Sequence, residues 1–133
     1  NACNYLFKKF VKIDLKKFSK KLYLNLKQIK EMDKAGMHIG CHGVNHIRWE
    51  TWSFKRQLNE IQKSKKFFEQ KKINIKNFSV CYPWGSYNHN SPKVLKKLNI
   101  KFGLTSDYGN FKANQKTNPY KLPRFDANDF LEI

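Results

Sequence analysis

The sequence predicts an α/β fold in which strands alternate with helices. Two observations support this class: short apolar runs recur along the chain, and segments with helical periodicity separate them. A connection of roughly a dozen residues or more is what two parallel strands of one sheet need. We therefore expect a parallel sheet or barrel covered by helices, with the chemistry gathered at the carboxyl ends of the strands.

The composition is that of a chain that folds. The 133 residues are 40% apolar and 15% aromatic, more than a disordered segment carries. A chain of this length can bury one hydrophobic core, so residues 1–133 are expected to form a single domain or part of one. No run approaches the roughly 20 apolar residues that cross a bilayer, so no transmembrane segment is predicted.

The charge is strongly basic: 27 Lys plus Arg against 10 Asp plus Glu give a formal net charge of +17. Such a surface attracts nucleic acid, anionic lipid or acidic glycans alike. The lysines are dispersed as pairs along the chain, which favours a generally basic surface over a focused nucleic-acid site. A non-catalytic basic module that binds nucleic acid or acidic polymer is the alternative function.

The three cysteines give no sign of a cross-linked framework. Cys3, Cys41 and Cys81 have long spacings and include no Cys-x-x-Cys pair, so neither a disulfide framework nor a thiolate zinc knuckle is predicted. Because Cys41 and Cys81 lie in apolar runs, we interpret them as small buried residues.

The first predicted elements are helical. Residues 1–22 mix apolar residues and lysines without a clean period, which is typical of a partly helical or irregular segment. A helix is predicted from Asn25, which can cap its start, to Gly36, which suits its left-handed end. Residues 37–41 then form an apolar run of strand length, with His42 at its carboxyl end.

A longer helix and a second strand follow. Ser53 begins the helix, which ends near Lys72. Its predicted apolar face consists of Phe54, Leu58, Ile61 and Phe68. Residues 78–82 are the next apolar run, and the turn residues 83–86 stop it.

The last third of the chain repeats the alternation. Ser91 and Pro92 begin a short helix, in which the serine hydroxyl is expected to cap and the proline to be the first helical residue. Residues 100–105 are a predicted strand, residues 107–121 a loop, and residues 122–127 a last strand.

His42 and His46 are the sharpest chemical signal. They are four residues apart after a predicted strand, so one helical turn would aim both imidazoles at one divalent cation. The spacing also fits two histidines hydrogen-bonded at a surface turn, or a structural zinc site completed by Cys41 or His38. His38 itself is more simply a packed or partner-bonded side chain, and His89 an exposed loop residue.

The order of several motifs is more specific than any one of them. From about residue 24 to residue 130 the chain resembles the polysaccharide deacetylases, also called carbohydrate esterase family 4 or the NodB-homology family. The segments that carry the resemblance are residues 37–46, the helix containing residues 58–66, and residues 82–88, 102–107 and 122–126.

The resemblance implies a partial distorted (β/α) barrel of the NodB-homology type, without its N-terminal strand or strands. The implied activity is removal of acetyl groups from a sugar of a polysaccharide or glycolipid, so an acetylated glycan is the expected partner. The implied cofactor is a divalent metal, expected to be zinc, held by an aspartate and by two histidines that match His42 and His46. The expected location is the cytoplasm or the cell envelope of a bacterium.

The proline turn of the family lines the substrate groove. In this chain the turn matches Pro83 and implies substrate contacts for Tyr82, Trp84 and Tyr87. By position, Trp84 would also act in catalysis, by donating its backbone N–H to the developing oxyanion. Trp49 and Trp52 could extend an aromatic wall for sugar rings, or one or two of these aromatic residues could simply close the core.

Arg124 and Asp126 lie at the last predicted strand, near the expected site. The resemblance makes them candidate catalytic residues that orient a catalytic group. A structural ion pair between them is the alternative.

The chain also departs from the family pattern. The first family motif, an Asp-Asp pair after a strand, supplies the catalytic base and a metal ligand, and no Asp-Asp occurs in this sequence. The closing motif with a catalytic histidine is not seen, and Cys81 replaces an arginine. We therefore expect a fragment or a degenerate member with weak or absent activity alone. A missing first strand would expose a sheet edge, through which the chain is expected to self-associate.

Overall fold

The computed structural model describes residues 2–110 and 117–130. By its contacts the chain divides into two compact units, Asn1–Met37 and His38–Ile133. Within these described ranges, no helix has both the length and the apolar character that crossing a bilayer requires.

The first unit is helical. It contains α1 (Ala2–Leu6), a π-helical turn (Phe7–Val11), α2 (Leu15–Leu22) and α3 (Leu26–Lys34). In the capping box that begins α3, Gln28 N donates to Asn25 Oδ1 at 3.0 Å and Asn25 N donates to Gln28 Oε1 at 2.8 Å. Gly36 follows the helix with φ 84°, so both predicted boundaries of α3 are confirmed.

The second unit is built on a small parallel sheet. Its strands are β1 (Ser79–Cys81), β2 (Phe102–Tyr108) and β3 (Leu122–Arg124), in the order β1-β2-β3. Its helices are α4 (Phe54–Gln70) and α5 (Ser91–Lys97), with 3₁₀ turns at Pro83–Gly85 and Ala127–Phe130. An α/β fold with a parallel sheet is therefore confirmed.

The predicted strand over residues 37–41 is wrong except at its last residue. Cys41 forms an isolated parallel bridge with Val80: Cys41 N donates to Ser79 O and Cys81 N donates to Cys41 O, each at 2.8 Å. Because β1 begins at Ser79, which lies opposite Gly40 in this register, the residues that precede Gly40 have no neighbouring strand in the described chain with which to pair.

The later strands differ from their predicted bounds. β2 begins and ends later than residues 100–105, so Asp107 and Tyr108 belong to the strand instead of the predicted loop. β3 ends at Arg124, three residues before the predicted end. Residues 111–116 of the predicted loop lie outside the described part of the chain.

The buried face of α4 is more polar than the sequence predicts. Ser53 caps the helix as expected, since Arg56 N donates to Ser53 Oγ at 3.4 Å. The buried residues of the helix are Gln57, Glu60, Ile61 and Ser64, whereas the predicted apolar residues other than Ile61 are only partly buried. Side chains that pair with distant polar groups therefore displace apolar ones from the centre of this face.

The start of α5 also differs in detail. Ser91 is a helical residue and does not cap: its hydroxyl donates to Gln57 Oε1 at 2.7 Å and accepts from Asn88 N at 3.0 Å. The face of α5 that packs on the core contains Val94 and Leu95, which are fully buried.

A single core joins these elements of the second unit. It includes Trp49, Ile61, Val80, Tyr82 and Leu95, none of which has exposed surface. Burial of one such aliphatic side chain contributes about 1.5–3 kcal/mol, so this core holds α4, β1 and α5 together and fixes where the loops after Cys41 and after β1 emerge.

Candidate active site

The loop that follows Cys41 brings His42 and His46 together. Their Nε2 atoms are 3.0 Å apart and their ring centroids 4.7 Å apart. The predicted helical turn is wrong: the segment is a bend in which Gly43 has φ 79° and His46 has φ 50°. The two imidazoles nevertheless converge, as their spacing predicted.

A second contact fixes the orientation of His42. Its Nδ1 lies 2.9 Å from the carbonyl oxygen of Cys81. Because a carbonyl oxygen only accepts, Nδ1 carries the hydrogen, and Nε2 is the ring nitrogen of His42 that faces His46. Such a carbonyl or carboxylate partner is what orients most metal-binding histidines.

The pair fits two corners of a metal site. With Zn–N bonds of about 2.0–2.1 Å, two ligands of a tetrahedron lie roughly 3.3 Å apart, close to the observed 3.0 Å. The same distance fits a direct bond in which one imidazole N–H donates to the other ring. Across the residues that the structure describes, no group of three His, Cys, Asp or Glu side chains could hold a metal.

A structural zinc site completed by Cys41 or His38 is therefore not supported. Burial raises the pKa of the Cys41 thiol, which disfavours the thiolate that zinc binds. The sulfur also accepts a hydrogen bond from Gly43 N at 3.3 Å. His38 Nε2 lies 2.7 Å from Ser79 Oγ, so the prediction of a partner-bonded side chain is confirmed.

The turn after β1 places Trp84 beside the histidines. The indole is 61% exposed, and its ring centroid lies 5.2 Å from that of His46. The guanidinium of Arg48 lies 5.7 Å from the same ring. Trp84 has φ 58°, a left-handed conformation that is uncommon outside glycine.

Tyr82 and Pro83 lie beneath this surface. Both are buried, and the Tyr82 hydroxyl donates to Tyr120 O at 2.8 Å. Burial raises the pKa of Tyr82 far above its usual range. Tyr87 stacks on Tyr82 with centroids 5.2 Å apart and is half-buried, and Lys121 Nζ lies 5.1 Å from its ring centroid. Trp84 therefore offers most of the accessible aromatic surface of the turn.

The other two tryptophans close the core. Trp49 and Trp52 are 0% and 5% exposed, with ring centroids 6.2 Å apart. Trp49 and Trp52 therefore close the core, which confirms the alternative in which one or two of the aromatic residues have this role. His89 is exposed, as expected of a loop histidine.

Arg124 and Asp126 form an ion pair, which is one of the two roles predicted for them from the sequence. Arg124 Nη1 lies 3.5 Å from Asp126 Oδ2, and Arg124 Nε donates to Thr105 O at 3.0 Å. The backbone N–H of Asn128, which donates to Asp126 Oδ1 at 3.0 Å, and the guanidinium together lower the pKa of Asp126.

Sequence reasoning missed the polar side chains that hold the site loops. Glu60 is 5% exposed and accepts from Val44 N at 2.8 Å, Asn45 N at 2.7 Å and Asn45 Nδ2 at 3.0 Å. The sequence carried one signal for this role. Gln57 and Glu60 are three residues apart and Ile61 is four residues from Gln57, a spacing that places all three on one face of the helix.

A second polar cluster holds the turn over residues 49–52. Gln57 Nε2 donates to Trp52 O at 2.9 Å and to Asn88 Oδ1 at 3.0 Å.

The loop after Trp84 holds the same turn from the other side. Asn88 Nδ2 donates to Glu50 O at 2.8 Å and Trp52 O at 3.0 Å, and the Ser86 hydroxyl donates to the Glu50 carboxylate. The loop after His46 and the loop after Trp84 are thereby tied to α4.

A parallel sheet with two converging imidazoles beside an exposed indole defines an α/β protein with a candidate metal site. The family model described as polysaccharide deacetylase matches residues 9–103, more than half of the chain. The chain therefore belongs to the polysaccharide deacetylase family, and the resemblance seen in its motifs is confirmed.

Two individual proteins are similar to the chain. The "Putative polysaccharide deacetylase YxkH" of Bacillus subtilis is 28% identical over 109 residues, which cover 82% of this chain and 38% of that protein. The deacetylase PplD of Streptococcus pyogenes, solved in complex with acetate, is 34% identical with a TM-score of 0.67, covering 76% of this chain and 43% of that chain. The chain thus spans well under half of either protein. Neither comparison favours the alternative of a basic binding module.

Proposed function

We propose that the chain forms part of a metal-dependent deacetylase that removes acetyl groups from the sugar of a polysaccharide or glycolipid. The observation that carries the proposal is the convergence of His42 Nε2 and His46 Nε2 to 3.0 Å beside the exposed Trp84. Family membership supports the reaction class. We expect the complete domain to close its sheet into a distorted barrel.

In this mechanism His42 and His46 hold a divalent cation, most simply zinc. When bound, such a cation polarises the acetyl carbonyl and lowers the pKa of its bound water towards neutrality. His42 contributes Nε2 because its Nδ1–H donates to Cys81 O, which keeps the ring in the required tautomer. The backbone N–H of Trp84 is the proposed donor to the developing oxyanion.

Substrate binding is proposed for the surface of the proline turn. Trp84 offers an exposed aromatic face on which a sugar ring can pack, and the half-buried Tyr87 is proposed to contact the sugar beside it, while Tyr82 and Pro83 shape that surface from below. The net charge of +17 would steer an anionic glycan towards the protein.

The remaining residues have supporting roles in the proposal. Arg124 is proposed to orient a catalytic group together with Asp126, with which it is paired. We expect weak activity from this polypeptide alone, because the described residues bring no carboxylate to the two histidines.

Metal binding by the purified chain is the direct test. Zn²⁺ bound per chain should be measured after dialysis for the wild type, His42→Ala, His46→Ala and the control His89→Ala, whose histidine is exposed and lies outside the pair. Either site substitution should abolish stoichiometric binding, and the control should keep it. Equal zinc content in all four proteins would refute the proposed ligands.

The reaction itself is tested on an acetylated glucosamine oligosaccharide, with acetate release as the readout. A longer polypeptide containing this chain should release acetate in a His42- and His46-dependent manner. Release that survives both substitutions would show that the chemistry lies elsewhere.

A further inference from the structure

A buried carboxylate supports the loop that carries His46. Glu60 lies on α4 and is only 5% exposed, and its carboxylate accepts its described hydrogen bonds from Val44 and Asn45, in the loop between His42 and His46. We infer that Glu60 is a positioning residue that holds this loop in the one conformation that places His46 Nε2 against His42 Nε2. The role in metal binding rests on the proposed function.

The loop needs such an anchor because its backbone is irregular. Gly43 and His46 both have positive φ, and the segment between them has no helical or strand hydrogen bonds of its own in the described structure. The successive N–H groups of Val44 and Asn45 both donate to Glu60 Oε1, an arrangement typical of a backbone nest around an anion. The side chain of Val44 is 54% exposed, so it adds little packing to hold the loop.

The bonding pattern fixes orientation as well as distance. Oε1 takes the two backbone donors while Oε2 takes Asn45 Nδ2, so both carboxylate oxygens are used on one side of the loop. Gly43 permits the loop conformation through its φ of 79°, since a Cβ there would make only van der Waals contacts, 3.4 Å from Glu60 Oε1 and 3.4 Å from Pro83 Cγ. Burying a carboxylate costs free energy unless donors satisfy its oxygens. The donors of this loop satisfy the oxygens of Glu60.

Replacement by glutamine separates anchoring from packing. Glu60→Gln keeps the shape and the helix, but it replaces a charged acceptor by a neutral amide with a single accepting oxygen, so the bonds from the two backbone N–H groups weaken and the bond to Asn45 is kept only if the Asn45 amide turns over. Loss of a partner bonded directly to a metal ligand weakens metal affinity about 10- to 100-fold. Glu60 acts one step further out, through the loop backbone, so we expect a loss of about 10-fold for Co²⁺, with little change in the urea midpoint of unfolding.

The experiment uses the full chain and two readouts. Co²⁺ affinity is measured by titration, and amide hydrogen exchange is measured on the metal-free protein for Val44 and Asn45, with Val80 as the core reference. In Glu60→Gln the loop amides should exchange at least about 10-fold faster while Val80 is unchanged. Glu69→Gln, which removes the same charge from an exposed position of α4, should match the wild type in both readouts.

The outcomes separate this inference from the proposed function. Wild-type exchange at Val44 and Asn45 in Glu60→Gln overturns the positioning role, whatever the metal does. If the wild type itself binds no Co²⁺, the proposed ligands fail, and the exchange rates alone decide for or against Glu60.

Asn45→Ala gives an independent variant, and it decides the question if Glu60→Gln does not fold. It removes only the bond from Nδ2 to Glu60 Oε2, at an exposed residue. It should therefore speed loop exchange and weaken Co²⁺ binding by a smaller factor, about 3-fold. Unchanged values in both readouts would overturn the inference.

Discussion

The indole of Trp84 lies against the imidazole of His46, with ring centroids 5.2 Å apart and ring planes inclined by 51°. The loop after Cys41 and the turn after β1 therefore meet at these two side chains. Since Trp49 and Trp52 are buried in the core, Trp84 is the exposed indole among the three tryptophans. Its fluorescence should report on the candidate metal site.

Binding of Co²⁺ to the histidine pair should quench the emission of Trp84. The exposed indole emits at longer wavelength than the two buried ones, so quenching should concentrate at the red edge of the spectrum. Trp84→Phe should lose this quenching while Co²⁺ still binds, as measured by absorption, and His46→Ala should lose both. Equal fractional quenching in Trp84→Phe would show that the metal binds near another tryptophan.

The Tyr82 hydroxyl provides a test of the core by pH. Tyr82→Phe removes the hydrogen bond to Tyr120 O and should cost about 1 kcal/mol of unfolding free energy at neutral pH. Burial raises the pKa of Tyr82 in the folded protein, so its stabilising contribution is complete below the unfolded pKa of about 10 and is lost as the pH rises further.

The difference in unfolding free energy between wild type and Tyr82→Phe should therefore shrink between pH 9.5 and pH 11. Urea titrations of both proteins across this range measure it. A constant difference would mean that Tyr82 ionises as easily in the folded protein as in the unfolded chain.

Gln57 should be far more sensitive to substitution than a glutamine normally is. It is fully buried, donates to Trp52 O and Asn88 Oδ1, and accepts from Ser91 Oγ. Gln57→Ala removes these three hydrogen bonds and leaves a cavity in the core, although Trp52 O and Asn88 Oδ1 each keep another donor, and it should cost about 2–4 kcal/mol. Gln62→Ala, at an exposed position of the same helix, should stay within about 0.5 kcal/mol of the wild type in urea unfolding.

The contrast between Gln57 and Gln62 shows what the sequence could predict. Local signals located the helices well: Asn25 and Ser53 cap them through bonds that span three residues. The contacts of Gln57 with Asn88 and Ser91 span 31 and 34 residues, and no local pattern encodes such pairs.

The same distinction applies to the site. The spacing of His42 and His46 predicted their convergence, but the predicted helical turn was wrong because a distant carboxylate, Glu60, holds the loop between them. The strand predicted over residues 37–41 failed for a related reason, since a strand forms only where a neighbour offers its hydrogen bonds and β1 begins at Ser79.

Gly85, in the turn that carries Trp84, should not tolerate substitution by alanine. It has φ 65°, and a Cβ there would overlap Ser106 Oγ and lie 2.7 Å from Ser106 Cβ and 3.0 Å from Ser106 N. Gly85→Ala therefore combines left-handed strain of about 1 kcal/mol with overpacking of about 1–3 kcal/mol. Urea unfolding should show the sum of these two costs.

Ser106→Gly provides the matched rescue, because it removes the Oγ and Cβ atoms that the new methyl group meets. In a double-mutant cycle, the double variant should regain the unfolding free energy lost to overpacking but not that lost to the left-handed backbone. It should therefore be more stable than the sum of the two separate costs predicts. The red-edge quenching by Co²⁺ should recover with it, since the turn again places Trp84 beside His46. Strictly additive costs would show that Gly85 is required for its backbone conformation alone and that the close approach to Ser106 adds nothing.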